Sequence, residues 1–123
     1  MAVKQVLVIR KDLRMRRGKE ISQGSHASMK FLAEKLREGC TVSLSPAELE
    51  WFEGKFAKIT TQVNSEKELL DLHQSARQAG LASWLILDSG LTEFGGVPTY
   101  TCLAIGPDYA EKIDPITGHL PLY

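Results

Sequence analysis

The sequence lacks an apolar run approaching the roughly 18 residues of a membrane-spanning helix, and its first residues do not form a secretory signal. It contains only two cysteines, Cys40 and Cys102, and no histidine, cysteine and carboxylate cluster with metal-ligand spacing. Internal repeats, low-complexity segments and interdomain linkers are also missing. These absences argue against a membrane protein, a disulfide scaffold and a metal site, and we expect reduced thiols in a cytoplasmic protein.

The chain has 123 residues, of which 43% are hydrophobic and 24% are charged, so we expect one folded domain over residues 1–123. The formal net charge is zero, but its distribution is uneven. Residues 1–19 hold seven basic residues and one acidic residue, whereas the remainder holds eight basic and fourteen acidic residues. This asymmetry favours a phosphate-bearing partner, although a basic loop exposed to solvent would give the same pattern.

Hydrophobic periodicity predicts strands and helices in the order β-α-α-β-α-β-β-α. This order is typical of an α/β fold. We expect a mixed four-stranded sheet, three strands parallel and one antiparallel, with helices on both faces. Capping patterns begin two of the helices, Ser45-Pro46-Ala47-Glu48 and Ser65-Glu66-Lys67-Glu68. The predicted strands are 3–9, 57–63, 82–87 and 99–105, and the predicted helices are 19–39, 46–56, 66–80 and 108–113.

The helix predicted over 19–39 carries two different faces. We expect its apolar and small residues to face the core, namely Ile21, Ser25, Ser28, Met29, Leu32 and Leu36. A polar stripe lies on another face, within about 60° at 100° per residue. It consists of Lys19, Gln23, His26 and Lys30. An ordinary solvated helix face is the alternative interpretation of this stripe.

Three separate segments are expected to meet at one edge of the sheet. Ligands of open α/β sheets bind beyond the carboxyl ends of the strands. The basic segment 10–19 leaves the first strand there, Asp88 ends the third strand, and an antiparallel fourth strand would bring Thr101 nearby. Lys19 and Gln23 also lie in the first turns of their helix, where backbone N–H groups favour an anion.

These residues carry a resemblance to a known family. Gly18-Lys19 followed by Gln23-Gly24-Ser25-His26-Ala27 resembles the opening of the type 2 peptidyl-tRNA hydrolases. Asp88-Ser89-Gly90 with Thr92 resembles a loop of that family, and residues 101–107 resemble its last strand. The ending, residues 113–123, is also similar. The resemblance spans essentially the whole chain, and its motifs occur in the right order.

The resemblance implies a homodimer that hydrolyses the ester joining a peptide to the 3′ ribose of tRNA, with no metal or organic cofactor. The family's functional positions fall on Lys19, Gln23, His26, Asp88 and Thr101. We expect Lys19 to pair with Asp88 in the free enzyme and to stabilise developing negative charge or a nearby phosphate. Asp88 would orient or deprotonate water, Thr101 would hold water or the carbonyl, and His26 would shuttle a proton or serve as a structural partner. The expected substrate-binding residues are Arg14, Arg16, Arg17, Lys30 and Thr92.

The sequence departs from the family at the expected substrate rim. Arg16-Arg17-Gly18-Lys19 stands where two lysines are frequent, and Leu91 replaces an arginine of the Asp-Ala-Gly-Arg-Thr motif. The loop 93–98 also differs from the usual sequence. Two alternatives therefore stay open: a non-catalytic RNA- or protein-binding module, and a hydrolase of another acyl ester or amide.

Overall fold

The apolar run Val6–Ile9 lies at the buried centre of a four-stranded sheet in the computed structural model, which describes residues 2–123. Side chains of this run alternate between the two faces of the sheet, and helices cover both faces. The strands are β1 (Val3–Arg10), β2 (Lys58–Val63), β3 (Ser83–Asp88) and β4 (Thr99–Tyr109). The helices are α1 (Arg17–Leu36), α2 (Pro46–Glu53), α3 (Glu66–Gln78) and α4 (Ala110–Thr117).

The strands lie in the order β2-β1-β4-β3, so β4 occupies an interior position. Strand β1 pairs in parallel with β2, and β4 runs antiparallel to both β1 and β3. Three strands thus point one way and one is reversed, as the sequence predicts. Within residues 2–123, however, a single neighbouring pair is parallel, because the reversed strand separates β3 from β1.

Two apolar clusters fill the space between the sheet and its helices. One cluster joins β1 and β4 to α3 and α4, with Val8, Leu69, Leu103, Ile105 and Ile113 almost fully buried. The other joins the opposite face of the sheet to α1 through Leu7, Ile9, Ala27, Cys102 and Ala104. Helix α2 adds Trp51, whose ring centroid lies 6.0 Å from that of Phe31 in an edge-to-face contact.

The prediction of which residues of α1 face the core is wrong. Ile21 and Met29 are 64% and 54% exposed, Leu36 and Ser25 are also exposed, and Leu32 is half-buried, so that Ser28 alone of the expected set is buried. The buried residues are Gln23, Gly24, Ala27, Ser28 and Phe31. Small residues permit a close approach to the sheet: a Cβ at Gly24 would lie 3.9 Å from Leu7 Cδ1. The large apolar residues therefore project to one side of the contact.

Several element boundaries also differ from expectation. Helix α1 begins two residues earlier, at Arg17, and α4 spans Ala110–Thr117 because β4 continues to Tyr109. Helix α2 ends before Phe56, which has a left-handed φ of 55°. Ser45 and Glu48 form the reciprocal capping box that the sequence predicts.

The outer edge of β2 is covered by the end of the chain. Leu122 forms an antiparallel bridge with Thr61, and the Tyr123 backbone N–H donates to the Thr60 carbonyl at 3.0 Å. This added segment protects a strand edge that would otherwise expose unpaired backbone groups. No helix within residues 2–123 has the length and apolarity needed to cross a membrane.

Candidate active site

An ion pair between Lys19 and Asp88 forms the centre of the site. Lys19 lies in the first turn of α1, and Asp88 is the last residue of β3. Lys19 Nζ donates to Asp88 Oδ1 at 2.8 Å, and the two side chains are 15% and 12% exposed. The contact joins residues 69 positions apart in the chain. The order of the elements predicts that these two segments meet, and the pairing itself is the one expected for the free enzyme.

The Asp88 carboxylate is held from both of its oxygens. Gln23 Nε2 lies 3.4 Å from Oδ1, and the Gly90 backbone N–H donates to Oδ2 at 2.9 Å. The hydrogen bond from Lys19 is the main reason that the pKa of Asp88 is lowered, and Gly90 lowers it further. Asp88 is therefore an oriented carboxylate at neutral pH.

Behind the ion pair, Gln23 connects Asp88 to Thr101. The Thr101 hydroxyl donates a short hydrogen bond to Gln23 Oε1, so the amide nitrogen is directed towards Asp88. Gln23 is 3% exposed and Thr101 is fully buried. The sequence predicts Gln23 on a non-core face of α1, and that placement is wrong. A buried glutamine has no hydrophobic signal that could reveal it.

An irregularity in β4 directs Thr101 towards α1. The β3–β4 register shifts between Ile86 and Leu87, which leaves Thr101 as an extra residue opposite that step. Thr101 and the next residue, Cys102, both contact Gln23, since the Cys102 thiol donates to the Gln23 carbonyl at 3.3 Å. A regular strand would place these two side chains on opposite faces. Burial raises the pKa of Cys102 to about 11, so this thiol is not a nucleophile at neutral pH.

Among the other expected site residues, Thr92 reaches the ion pair and Lys30 does not. Thr92 Oγ1 accepts from Lys19 Nζ at 2.9 Å. Lys30 instead pairs with Glu34 at 3.0 Å, one turn along α1. His26 is exposed, and its electrostatic interaction with Asp88 also lowers the pKa of that carboxyl.

The three expected phosphate-binding arginines point to different places. Arg14 has a left-handed φ of 52° and an exposed side chain before α1. Arg16 occupies the N-cap position of α1 without a capping side-chain bond, and it pairs with Glu93 of the β3–β4 loop at 2.9 Å. Arg17 lines a groove on the other side of α1. The basic segment is therefore divided between two sides of this helix.

That groove, which we call the α1 groove, has a volume of about 500 Å³ and is largely apolar. Tyr123 is among its lining residues, and a hydrogen bond with Glu20 raises the pKa of Tyr123 to about 12. Glu20 Oε2 is buried without a hydrogen-bond partner among residues 2–123. Apolar lining residues are Leu7, Ile9, Ile21, Met29, Phe52 and Phe56.

The arrangement can stabilise negative charge and orient a small molecule, because it combines an ammonium group with a fixed carboxylate and an exposed imidazole. No group of three or more metal-ligating side chains occurs in the described part of the chain, residues 2–123. The fold and the site together define a small α/β protein with a charged centre at the rim of its sheet, beside a basic segment.

The chain belongs to the peptidyl-tRNA hydrolase PTH2 family, whose model matches residues 3–123. It is 41% identical over 119 residues to a peptidyl-tRNA hydrolase of Methanopyrus kandleri, covering 97% of each chain. It is 44% identical over 121 residues to a peptidyl-tRNA hydrolase of Methanocaldococcus jannaschii, covering 98% of this chain and 99% of that one. A probable peptidyl-tRNA hydrolase 2 of Dictyostelium discoideum is 42% identical over 120 residues, which are 98% of this chain and 54% of that one.

A solved structure extends the comparison to the fold alone. It is a protein of unknown function from Agrobacterium tumefaciens strain C58, with a TM-score of 0.61 and 11% sequence identity. The match covers 100% of this chain and 98% of that chain. At this identity the likeness describes the architecture and carries no information about the site.

Proposed function

We propose that this chain is a peptidyl-tRNA hydrolase, which cleaves the ester between a peptide and the 3′ ribose of tRNA. The observation that carries the proposal is the Lys19–Asp88 pair at the sheet rim, held by Gln23 and Thr101, in a chain of the PTH2 family. Because peptidyl-tRNA arises during translation, we place this activity in the cytoplasm.

The reaction adds water to the ester carbonyl carbon and then breaks the bond from that carbon to the ribose 3′ oxygen. The products are a peptide acid and a tRNA with a free 3′ hydroxyl, so one proton leaves the water and one reaches the 3′ oxygen. Lys19 stabilises the negative charge that develops on the carbonyl oxygen. His26, exposed on the same side of α1, takes the proton from the attacking water and passes it to the leaving 3′ oxygen.

The lowered pKa of Asp88 supports orientation of water over full proton abstraction. A general base is most effective when its pKa lies near the working pH, and this carboxylate is too weak a base for that. Asp88 instead accepts a hydrogen bond from the attacking water and holds Lys19. Gln23 and Thr101 are positioning residues in this mechanism, because burial removes them from direct contact with the substrate.

The basic residues beside the site supply contacts to tRNA phosphates. Arg14 and Arg16 are exposed around the start of α1, where the helix dipole also favours an anion. Lys30, which pairs with Glu34, serves as an outer contact, and Thr92 fixes Lys19 directly. Arg17 lines the α1 groove instead. Binding through phosphates weakens steeply as salt rises.

The test is release of free tRNA from N-acetyl-aminoacyl-tRNA by the wild type and by the Lys19→Ala and Asp88→Ala variants. We expect each variant to lose about 100-fold or more in turnover, since each removes a group that acts on the developing charge. Lys67→Ala is the matched control, because it breaks an exposed lysine–aspartate pair on α3.

Two results would contradict the proposal. Near-normal turnover in both site variants would remove the Lys19–Asp88 pair from the mechanism. No cleavage by a folded wild type would favour a binding module or a hydrolase of another ester. If the protein is a hydrolase of another ester, its cleavage of small esters should be insensitive to salt.

We also propose that the chain forms a homodimer through the α1 groove, with a second copy as its occupant. Ile21 and Met29 are largely exposed and line the groove, so a second copy seated there would cover large apolar side chains. A two-fold axis places the same patch on both partners. Arg17 of one copy could then reach Glu20 of the other, which would supply a partner for the buried Glu20 Oε2.

Light-scattering mass measurement tests the dimer. We expect Met29→Glu to shift the protein to the monomer mass, because a charge would enter the apolar contact. Val97→Glu is the control, since it adds the same charge at an exposed position in the β3–β4 loop. A monomeric wild type, or a dimeric Met29→Glu variant, would overturn the assignment of this groove.

A further inference from the structure

Three consecutive residues of the β3–β4 loop attach that loop to the basic segment. Thr92 accepts a hydrogen bond from Lys19, and Glu93 accepts one from Arg16 Nε at 2.9 Å. Phe94 packs against the buried cluster on the α1 face of the sheet, which includes Met15. We call these three residues the loop latch.

The backbone of the loop is built to hold this position. The Gly96 N–H donates to the Gly90 carbonyl at 2.8 Å, which closes the loop on itself. Gly90 has a φ of 80°, and a Cβ there would collide with the Val97 carbonyl oxygen. Phe94 itself has a φ of 68°, in the left-handed region. The loop therefore delivers Glu93 to Arg16 as part of a defined conformation.

The two side chains of this pair differ in exposure. Arg16 is 80% exposed, whereas the Glu93 side chain is 16% exposed. The contact uses the Nε side of the guanidinium. The remaining edge of Arg16 faces outwards, but the carboxylate beside it cancels much of the charge that an approaching phosphate would meet.

We propose that Glu93 weakens phosphate binding at Arg16, so that weakly held polyanions do not occupy the rim of the site. The inference rests on the proposed function, because it assigns Arg16 to the substrate's phosphates. The latch thereby lowers the affinity of the rim for any nucleic acid. Every polyanion loses affinity by a similar factor, but substrates that also engage the Lys19–Asp88 centre still bind, since they gain contacts that other polyanions lack.

The size of the effect follows from the separation of the charges. A phosphate on the outer edge of Arg16 would lie a few ångströms from the Glu93 carboxylate. At that distance in water, repulsion between the two negative charges weakens phosphate binding roughly threefold. Removing the carboxylate also makes Arg16 fully available to a phosphate. Each phosphate neutralised adds roughly 0.7 to 0.9 to the salt dependence of log binding.

The experiment compares wild type with Glu93→Gln, an isosteric change that removes the charge. We expect KM for N-acetyl-aminoacyl-tRNA to fall about threefold at low salt. We expect log(kcat/KM) to fall more steeply with log salt, by roughly 0.7. Inhibition by non-substrate tRNA should strengthen by about the same factor. Glu38→Gln is the control, since Glu38 is exposed beyond the other end of α1.

A double variant separates the direct contact from the general loss of charge. In an Arg16→Gln background, Glu93→Gln should change KM much less, because the contact that it releases is already absent. An equal effect in both backgrounds would overturn the assignment to Arg16. Circular dichroism and the midpoint of thermal unfolding establish that each variant is folded.

The remaining outcomes are decisive as well. An unchanged or higher KM in Glu93→Gln would overturn the inference, a higher value meaning that Glu93 holds Arg16 ready for the substrate. Either result leaves the proposed function intact as long as the wild type cleaves the ester. Failure of the wild type to cleave would instead refute the proposed function, and direct binding of tRNA to the same variants would still test the latch.

Discussion

The two sides of α1 differ in which side chains they bury. On the side facing β3, Gln23 is 3% exposed and belongs to a hydrogen-bonded network with Asp88 and Thr101. On the groove side, Ile21 is 64% exposed and Met29 is 54% exposed. One helix thus buries an amide and leaves large apolar residues open.

The contrast shows that the two sides are shaped by different demands. A buried amide costs free energy unless its hydrogen bonds are made, and here Gln23 bonds through both its oxygen and its nitrogen. Such a network fixes geometry, which suits chemistry. Exposed apolar side chains beside a cavity gain free energy only when something covers them, which suits association.

Gln23→Leu should break the polar side most severely. The change leaves the Thr101 hydroxyl buried without its acceptor and removes a donor to Asp88. We expect turnover to fall about 100-fold, since displacement of a reacting group by about 1 Å has that effect. Unfolding free energy should fall by about 1–3 kcal/mol. Single-turnover kinetics and urea denaturation measure the two effects, and normal turnover would contradict a positioning role.

Thr101→Val and Thr101→Ser sharpen the same comparison. Valine keeps the shape of threonine but removes the hydroxyl that donates to Gln23 Oε1. We expect Thr101→Val to lose about 1–3 kcal/mol of stability and to lower kcat. Thr101→Ser keeps the donor and should recover most of kcat. Equal kcat in the two variants would show that this hydrogen bond does not position the site.

The stabilisation that Asp88 provides should be lost in acid and should be unchanged near neutral pH. The pKa of Asp88 is lower when folded than its unfolded value near 3.9, so its stabilisation is complete above about pH 4. That stabilisation is lost as pH falls through the lowered, folded-state pKa. In urea denaturation followed from pH 6 to pH 2, Asp88→Asn should show a shallower decline in stability than wild type. Identical slopes would mean that Asp88 is not held as the structure indicates.

Ile21→Ser should give the smallest effect, on the groove side. Because Ile21 is largely exposed within one chain, the unfolding free energy of the monomer should change by no more than about 0.5 kcal/mol. The measurement is made at protein concentrations below the dissociation constant of the dimer. A loss above about 2 kcal/mol would show that this side chain supports the fold of the single chain.

The meeting of Lys19 with Asp88 could be predicted from sequence, because it depends on the order of the elements alone. A buried strand followed by a helix brings Lys19 to the carboxyl edge of the sheet, and Asp88 ends another strand pointing the same way. The order and direction of these elements do not depend on the details of side-chain packing. The family resemblance leads to the same residues.

The orientation of α1 could not be predicted from hydrophobic periodicity. That pattern indicates which side of a helix avoids water, but it does not separate a core from an association surface. Gly24 and Ala27 determine how closely α1 approaches the sheet, and their small side chains give little hydrophobic signal. The extra residue at Thr101 is equally hidden, since a strand irregularity depends on register with β3.

The interior position of β4 has a consequence for biosynthesis. Strands β1 and β3 meet no partner on their shared side until residues 99–109 have been made, because β4 joins them. At translation rates of about 5–20 residues per second, earlier segments must wait for seconds with one strand edge unpaired. Strand β4 also holds β3, which ends at Asp88, beside β1. An emerging chain therefore completes its site only after β4 has been made, and a fragment that ends before β4 lacks the Thr101 that holds Gln23.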